Sequence, residues 1–269
     1  MDYQMSYSTS SRRQCALKKS SIACFLSLFF LASAPAAWSA TIVYGDFDDL
    51  ANGGSVLYTD VTESSGTDPV PLYGAPTVAV NLMDFDPGSF TASSSGGIDV
   101  TDGQLNYGMM GVPGAVLEGI EIVEGGDYTL LGGGSAAVTY GIAVRVTVLE
   151  IDGLAVAPFD IFKSDSDTLS LPGDSGVLQP WDFSLTLDLE QELIDRGTAF
   201  IDGVTKAEVS IDDQLIASSQ PGSFAFIAKK NFTLDTPTDP IDPNNIPEPA
   251  TLALTGLGLA VVLTRRQAS

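Results

Sequence analysis

The carboxylates are the side chains of this sequence that could do chemistry. There are 34 Asp and Glu against 12 Lys and Arg, and no histidine at all. Without histidine, a serine or cysteine nucleophile lacks its usual base, and zinc sites of the common Cys/His type cannot form. Gly173-Asp174-Ser175-Gly176 has the outline of a serine-nucleophile loop. With no base to serve it, the stretch reads as a Pro-Gly-Asp-Ser-Gly turn. Asp174-Ser175-Gly176 also has the form of one half of a paired-aspartate site. Two such halves must share a proton, and the sequence holds no second one. Two carboxylates could act as a glycosidase acid and base. Glu118, Glu121, Glu150 and Asp160 lie near expected strands, yet nothing in their spacing selects a pair. The expectation is a protein that is not an enzyme.

Plentiful oxygen ligands favour calcium over a transition metal. Three clusters are candidates: Asp46 and Asp48, Asp84 and Asp86, and Asp165 and Asp167. None has the glycine and terminal glutamate of an EF-hand loop, and solvated turn aspartates are the plainer reading. No cofactor is expected. Gly132-Gly133-Gly134-Ser135 lacks the lysine that follows the glycines of a phosphate loop and reads as a hairpin connection. Nucleic acid is excluded as a partner, because phosphate contacts need clustered Lys and Arg. Residues 41–249 carry 33 acids and six bases, a net charge of −27. Such a surface attracts cations, repels anionic lipid and keeps a protein soluble.

Strands must position these groups. Glycine is frequent (27 residues), charged residues make up only 17% and hydrophobic residues 44%. That balance favours turns and strands around a packed core over helices. Ala136–Ile151 is the longest apolar stretch, and Val144, Val146 and Val148 alternate with Arg145, Thr147 and Leu149. Trp181, Phe183, Leu185, Leu187 and Leu189 alternate with Asp182, Ser184, Thr186 and Asp188. Both patterns predict half-buried strands. Glu190–Arg196 predicts one or two helical turns ending at Gly197. Turns are expected at Asn52-Gly53-Gly54, Asp102-Gly103, Gly125-Gly126-Asp127, Asp152-Gly153 and Pro221-Gly222, with a tight hairpin at Ile211–Leu215. The absence of strand–helix alternation argues against a parallel sheet. An all-β, antiparallel, jelly-roll-like sandwich over residues 40–234 is expected.

The two ends are different. Arg12, Arg13, Lys18 and Lys19 precede the apolar run Ile22–Ala32, and small residues follow to Ala40. This is the order of an export signal over residues 1–39, cut after Ser39 or Ala36. Both cysteines, Cys15 and Cys24, lie inside it. The exported chain therefore has no disulfide and relies on its core. At the other end, residues 235–246 are rich in Pro and Asp and read as an extended spacer. Pro247-Glu248-Pro249 follows, then a 14-residue apolar segment, Ala250–Leu263, and the pair Arg265-Arg266. As a helix this segment is about 21 Å long, short of the ~30 Å hydrocarbon core. Arg265 and Arg266 mark its cytoplasmic end, and snorkelling with local thinning lets a helix near 250–264 cross.

In order and position, Pro247, Glu248, Pro249, the short apolar helix and the pair Arg265 and Arg266 resemble the PEP-CTERM sorting signal over residues 247–269. The resemblance implies an exosortase-type membrane protease as partner. It also implies a Gram-negative envelope, transient anchoring, and release or transfer to the cell surface or the extracellular matrix. An extended proline-flanked backbone suits this role, since a protease cleft accepts extended chain. For the ectodomain two readings stand. One is an acidic, non-enzymatic surface or matrix protein. The other is a carbohydrate-binding sandwich acting on exopolysaccharide, assisted by calcium, with Trp181, Tyr73, Tyr107 and Tyr128 as sugar platforms.

Overall fold

The computed structural model describes residues 40–240. In chain order the strands are β1 (Ile42–Phe47), β2 (Val56–Ser64), β3 (Thr77–Ala79), β4 (Leu82–Phe85), β5 (Thr91–Ser94), β6 (Gly97–Gly111), β7 (Ala115–Leu117), β8 (Gly119–Gly132), β9 (Ala136–Ile151), β10 (Leu154–Ser170), β11 (Gly176–Asp188), β12 (Val204–Ser219), β13 (Ser223–Asp235) and β14 (Thr238–Pro240). One α-helix, α1 (Leu189–Arg196), lies between β11 and β12. The first sheet runs β1-β2-β6-β12-β9-β10, with β7 and β14 beside the start of β12. The second runs β11-β8-β13-β4-β3, and β5 also pairs with β13. Every pairing is antiparallel. The two-sheet sandwich expected from the alternation is therefore present.

Alternation decides which side chains fill it. A strand turns successive side chains to opposite faces, so a row of every second residue enters the core. On β9 that row is Val138, Tyr140, Ile142, Val144, Val146 and Val148. On β12 it is Ala207, Val209, Ile211, Asp213, Leu215 and Ala217. The second sheet answers with Ile120, Ile122 and Glu124 of β8, and with Ala225, Ile227, Lys229, Phe232 and Leu234 of β13. A bulge between Lys229 and Asn231 inserts Lys230 and resets the parity of β13. Lys229 and Phe232 both point inward as a result. Each fully buried aliphatic or Phe side chain contributes roughly 1.5–3 kcal/mol.

The helix ends as its sequence implies. The Asp188 side chain caps it by accepting from Gln191 N at 2.8 Å. Gly197, at φ 68°, closes it in the left-handed conformation that glycine tolerates best. Leu189 and Leu193 are its buried face.

Several expected turns are strands instead. Ile211–Leu215 lies in the middle of β12, unbroken and paired with both β6 and β9. Asp102-Gly103 lies within β6 and Gly125-Gly126-Asp127 within β8. Their glycines serve close packing: a Cβ on Gly103 would stand 2.5 Å from Phe90 Cε2 and 2.9 Å from Tyr73 Cε2. On Gly126 it would stand 1.9 Å from the Ala228 carbonyl oxygen. Gly132–Ser135 does not join a hairpin but crosses from the second sheet to the first. The described fold also reaches six residues past the expected end of the ectodomain, to Pro240. There β14 pairs with β7 through Thr238↔Leu117 and Pro240↔Ala115.

Candidate functional site

Four of the six acids proposed as calcium ligands accept from backbone N–H groups. Asp46 Oδ1 accepts from Asp60 N at 2.9 Å, and Asp48 Oδ1 from Leu50 N at 3.2 Å. Asp165 and Asp167 stand exposed on β10 and accept from Ser166 N and Thr168 N. Asp84 lies exposed in β4, and Asp86 is exposed just after it. Among the described residues no three acidic side chains gather in a way that could hold a metal ion.

Other candidates resolve similarly. Glu121 lies on β8 of the second sheet, whereas Glu150 and Asp160 lie on β9 and β10 of the first. Asp160 Oδ1 accepts from Thr147 Oγ1 at 2.7 Å. The Gly173–Gly176 stretch joins β10 to β11, with Ser170 N donating to Asp174 Oδ2 at 2.7 Å. The four aromatic platforms are all buried: Trp181, Tyr73, Tyr107 and Tyr128 are 8% exposed or less. Trp181, Tyr107 and Tyr128 fall on inward rows of their strands, and Tyr73 is buried from the segment between β2 and β3. Trp181 stacks on Tyr140 at 4.6 Å and donates its indole N–H to the Ala228 carbonyl at 3.1 Å. These rings cannot serve as sugar platforms where they stand.

The surface offers a concavity lined by charged groups instead. It holds about 440 Å³ on the outer face of the first sheet. Asn106 and Met110 of β6, Arg145 and Thr147 of β9, and Lys206 and Glu208 of β12 line it. Two of the six bases of residues 41–249 thus face one hollow on an acidic molecule.

The densest polar chemistry is internal. Lys229 Nζ pairs with carboxylates on two other strands, Asp213 of β12 and Glu124 of β8. All three side chains are closed to solvent. The rings of Phe90, Phe232 and Tyr73 lie 4.6, 5.2 and 5.9 Å from the ammonium nitrogen. Tyr73 Oη donates to Asp213 Oδ2 at 3.0 Å. Asp213 Oδ1 and Glu124 Oε1 have no hydrogen-bond partner. Burial, reinforced by the Asp213 charge and opposed by Lys229, pushes Glu124 up to about 8. Burial also raises Asp213, against the pull of Lys229. Nearby, burial and the acids Asp212, Asp213 and Asp68 push Asp102 up to about 7. A separate buried carboxylate, Glu63, accepts from Tyr73 N at 3.1 Å, from Gly74 N at 3.4 Å and from Leu72 N. It fixes the segment that carries Tyr73. Sequence reasoning missed the Lys229 cluster. Its signal was parity, since Asp213 and Glu124 each interrupt an otherwise apolar alternate row.

The tail lies outside the described residues, so Pro247, Glu248, Pro249, Arg265 and Arg266 are read from sequence. So are the export leader and the anchor. Among the described residues no helix is long and apolar enough to cross a membrane. Residues 245–267 match the PEP-CTERM protein-sorting motif. The chain carries a PEP-CTERM signal. That signal is the mark of an exported protein, anchored at its C-terminus for recognition by an exosortase. It begins five residues after β14, so the sandwich closes just before the PEP-CTERM segment starts.

No curated protein matches the chain. Among solved structures, TmCBM61 in complex with beta-1,4-galactotriose is similar at 10% identity, over 60% of this chain and 73% of that one, with a TM-score of 0.22. The family 11 carbohydrate-binding module from Clostridium thermocellum, in complex with a beta-1,3-1,4-mixed-linked tetrasaccharide, is similar at 12% identity over 65% and 95%, with a TM-score of 0.19. The enzymatically active domain of tailspike protein 4 of bacteriophage CBA120 is 16% identical over 69% and 20%, with a TM-score of 0.15. Likenesses this low carry no argument about what the chain binds.

Proposed function

We propose that this chain is an acidic, non-enzymatic β-sandwich protein of the cell surface or extracellular matrix. An exosortase-type membrane protease would sort it through Pro247-Glu248-Pro249, the apolar helix and the Arg265-Arg266 stop. The observation that carries this reading is the PEP-CTERM match at residues 245–267, directly after the last strand. The chain supplies the recognition element, and the catalytic groups belong to the partner. The acidic surface keeps the released body soluble and repelled from anionic headgroups. Truncation after Asn245 tests the reading. The shortened protein should still be exported yet no longer be retained in the membrane fraction. Failure of the full-length protein to enter that fraction would contradict it.

A second reading rests on the concavity of the first sheet. Arg145 and Lys206, with Asn106, Asp60 and Glu208, make a polar hollow suited to the hydroxyls of an exopolysaccharide. Arg145→Glu together with Lys206→Glu should abolish retention on the producer's own polysaccharide. Equal retention of wild type and double variant would remove this reading.

A further inference from the structure

The Lys229 cluster is built like a reaction site rather than a brace. One ammonium between two carboxylates leaves a net negative charge in a dry interior, where uncompensated charge is costly. Well-packed apolar side chains would fill the same space without that cost. Yet the nitrogen and both carboxylates come from three strands across the two sheets and meet behind three aromatic rings. We propose that Lys229 and Asp213 condense into an intramolecular amide, with Glu124 carrying the proton, so that the two sheets become covalently joined.

The chemistry balances within these residues. Lys229 starts as an ammonium and Asp213 as a carboxylate. Glu124 takes one proton from Nζ, which frees the nitrogen lone pair as a nucleophile. Nζ attacks Asp213 Cγ, and a C–N bond forms. Tyr73 Oη, already donating to Asp213 Oδ2, holds the oxygen on which charge develops. Oδ1, which no hydrogen bond holds, departs as the C–O bond breaks. It leaves as water, carrying two of the three ammonium protons, one of them through Glu124. The amide keeps the third. No oxidant or other reactant is needed. A carboxyl whose affinity for a proton is raised suits this carrier role at neutral pH, and burial raises Glu124 in that direction. Exclusion of water favours condensation over hydrolysis. The product replaces an ion pair with a neutral amide, and Glu124, having passed its proton to the departing water, ends as it began. Asp213 is the acceptor because the Tyr73 hydroxyl polarises it, whereas Glu124 has no such donor besides Lys229.

The full chain, denatured and digested, tests this. Trypsin should fail to cut after Lys229 and release Ala207–Lys230 lighter by one water. Chymotryptic cleavage after Phe224 or Phe226 should leave the two halves joined. Glu124→Gln, which preserves shape, should yield the same tryptic region without the loss of water. An unlinked wild-type fragment of full mass would overturn the proposal. So would a link from Lys229 to Glu124, which would instead join this fragment to a peptide ending at Arg145. Linking in Glu124→Gln to the wild-type extent would remove the proton carrier from the scheme.

Discussion

Asp102 shows how the first sheet handles crowded acids. Its backbone N–H donates to Thr67 Oγ1 at 2.8 Å, while its own Oδ1 has no partner. Burial, then Asp212, Asp213 and Asp68, lift it from 3.8 to about 7. The folded chain therefore holds this proton to a higher pH than the unfolded chain. Between those two values the folded state binds more protons, so stability falls as pH rises through the window. Above the folded value the penalty is complete. Asp102→Asn should raise Tm near pH 8 and change it little near pH 4. An equal shift at both values would show that the carboxyl does not titrate this way. Gly103 sits next to it, with the Phe90 and Tyr73 rings against its α-carbon. Gly103→Ala should destabilise by about 1–3 kcal/mol through overpacking, read in a urea melt. Neither residue was legible as part of the core. Asp-Gly is a strong local turn signal, and only the long-range approach of the rings explains the glycine.

At the scale of elements, α1 and β9 were legible because their signals are local. Arg196 and Gly197 mark the helix end without help from distant residues, whereas Asp188 and Leu189, read as strand, prove to be its cap and first residue. Asp188→Ala should cost about 1 kcal/mol through loss of the cap, with the α1 amides exchanging faster than the strand amides. Unchanged exchange in α1 would contradict the capping account. β12 was not legible. Asp212-Asp213-Gln214 has turn-like composition, but β6 and β9 pair it on both sides over its whole length. Pairing on two sides satisfies its backbone, which no local propensity can outweigh. The bulge at Lys230 was equally hidden. It sets the parity that sends Lys229 inward, and it depends on Gly125 and Gly126 of the neighbouring strand. The acidic clusters were read as turn aspartates, yet Asp46, Asp84, Asp165 and Asp167 lie within strands and only Asp48 and Asp86 lie between them.

The whole molecule combines a strongly acidic body with an unusual tail. Like charges repel across such a surface, and salt screens them. Calcium should therefore raise Tm no more than sodium at matched ionic strength, because no described acidic group gathers three ligands. A calcium-specific shift would reinstate a bound ion. The tail was the most legible functional element, since its order of prolines, apolar residues and arginines is contained in a short stretch of chain. What the sandwich binds was not legible, because binding depends on which outward residues of separate strands share a hollow. The account turns on removal of that tail. Intact mass of the protein recovered outside the cell, from strains with and without the exosortase, tests it most directly. The account predicts a released chain that has lost both its leader and the residues beyond the Pro247-Glu248-Pro249 region, and no such product without the enzyme. A released chain that still ends at Ser269, in equal amount from both strains, would contradict it.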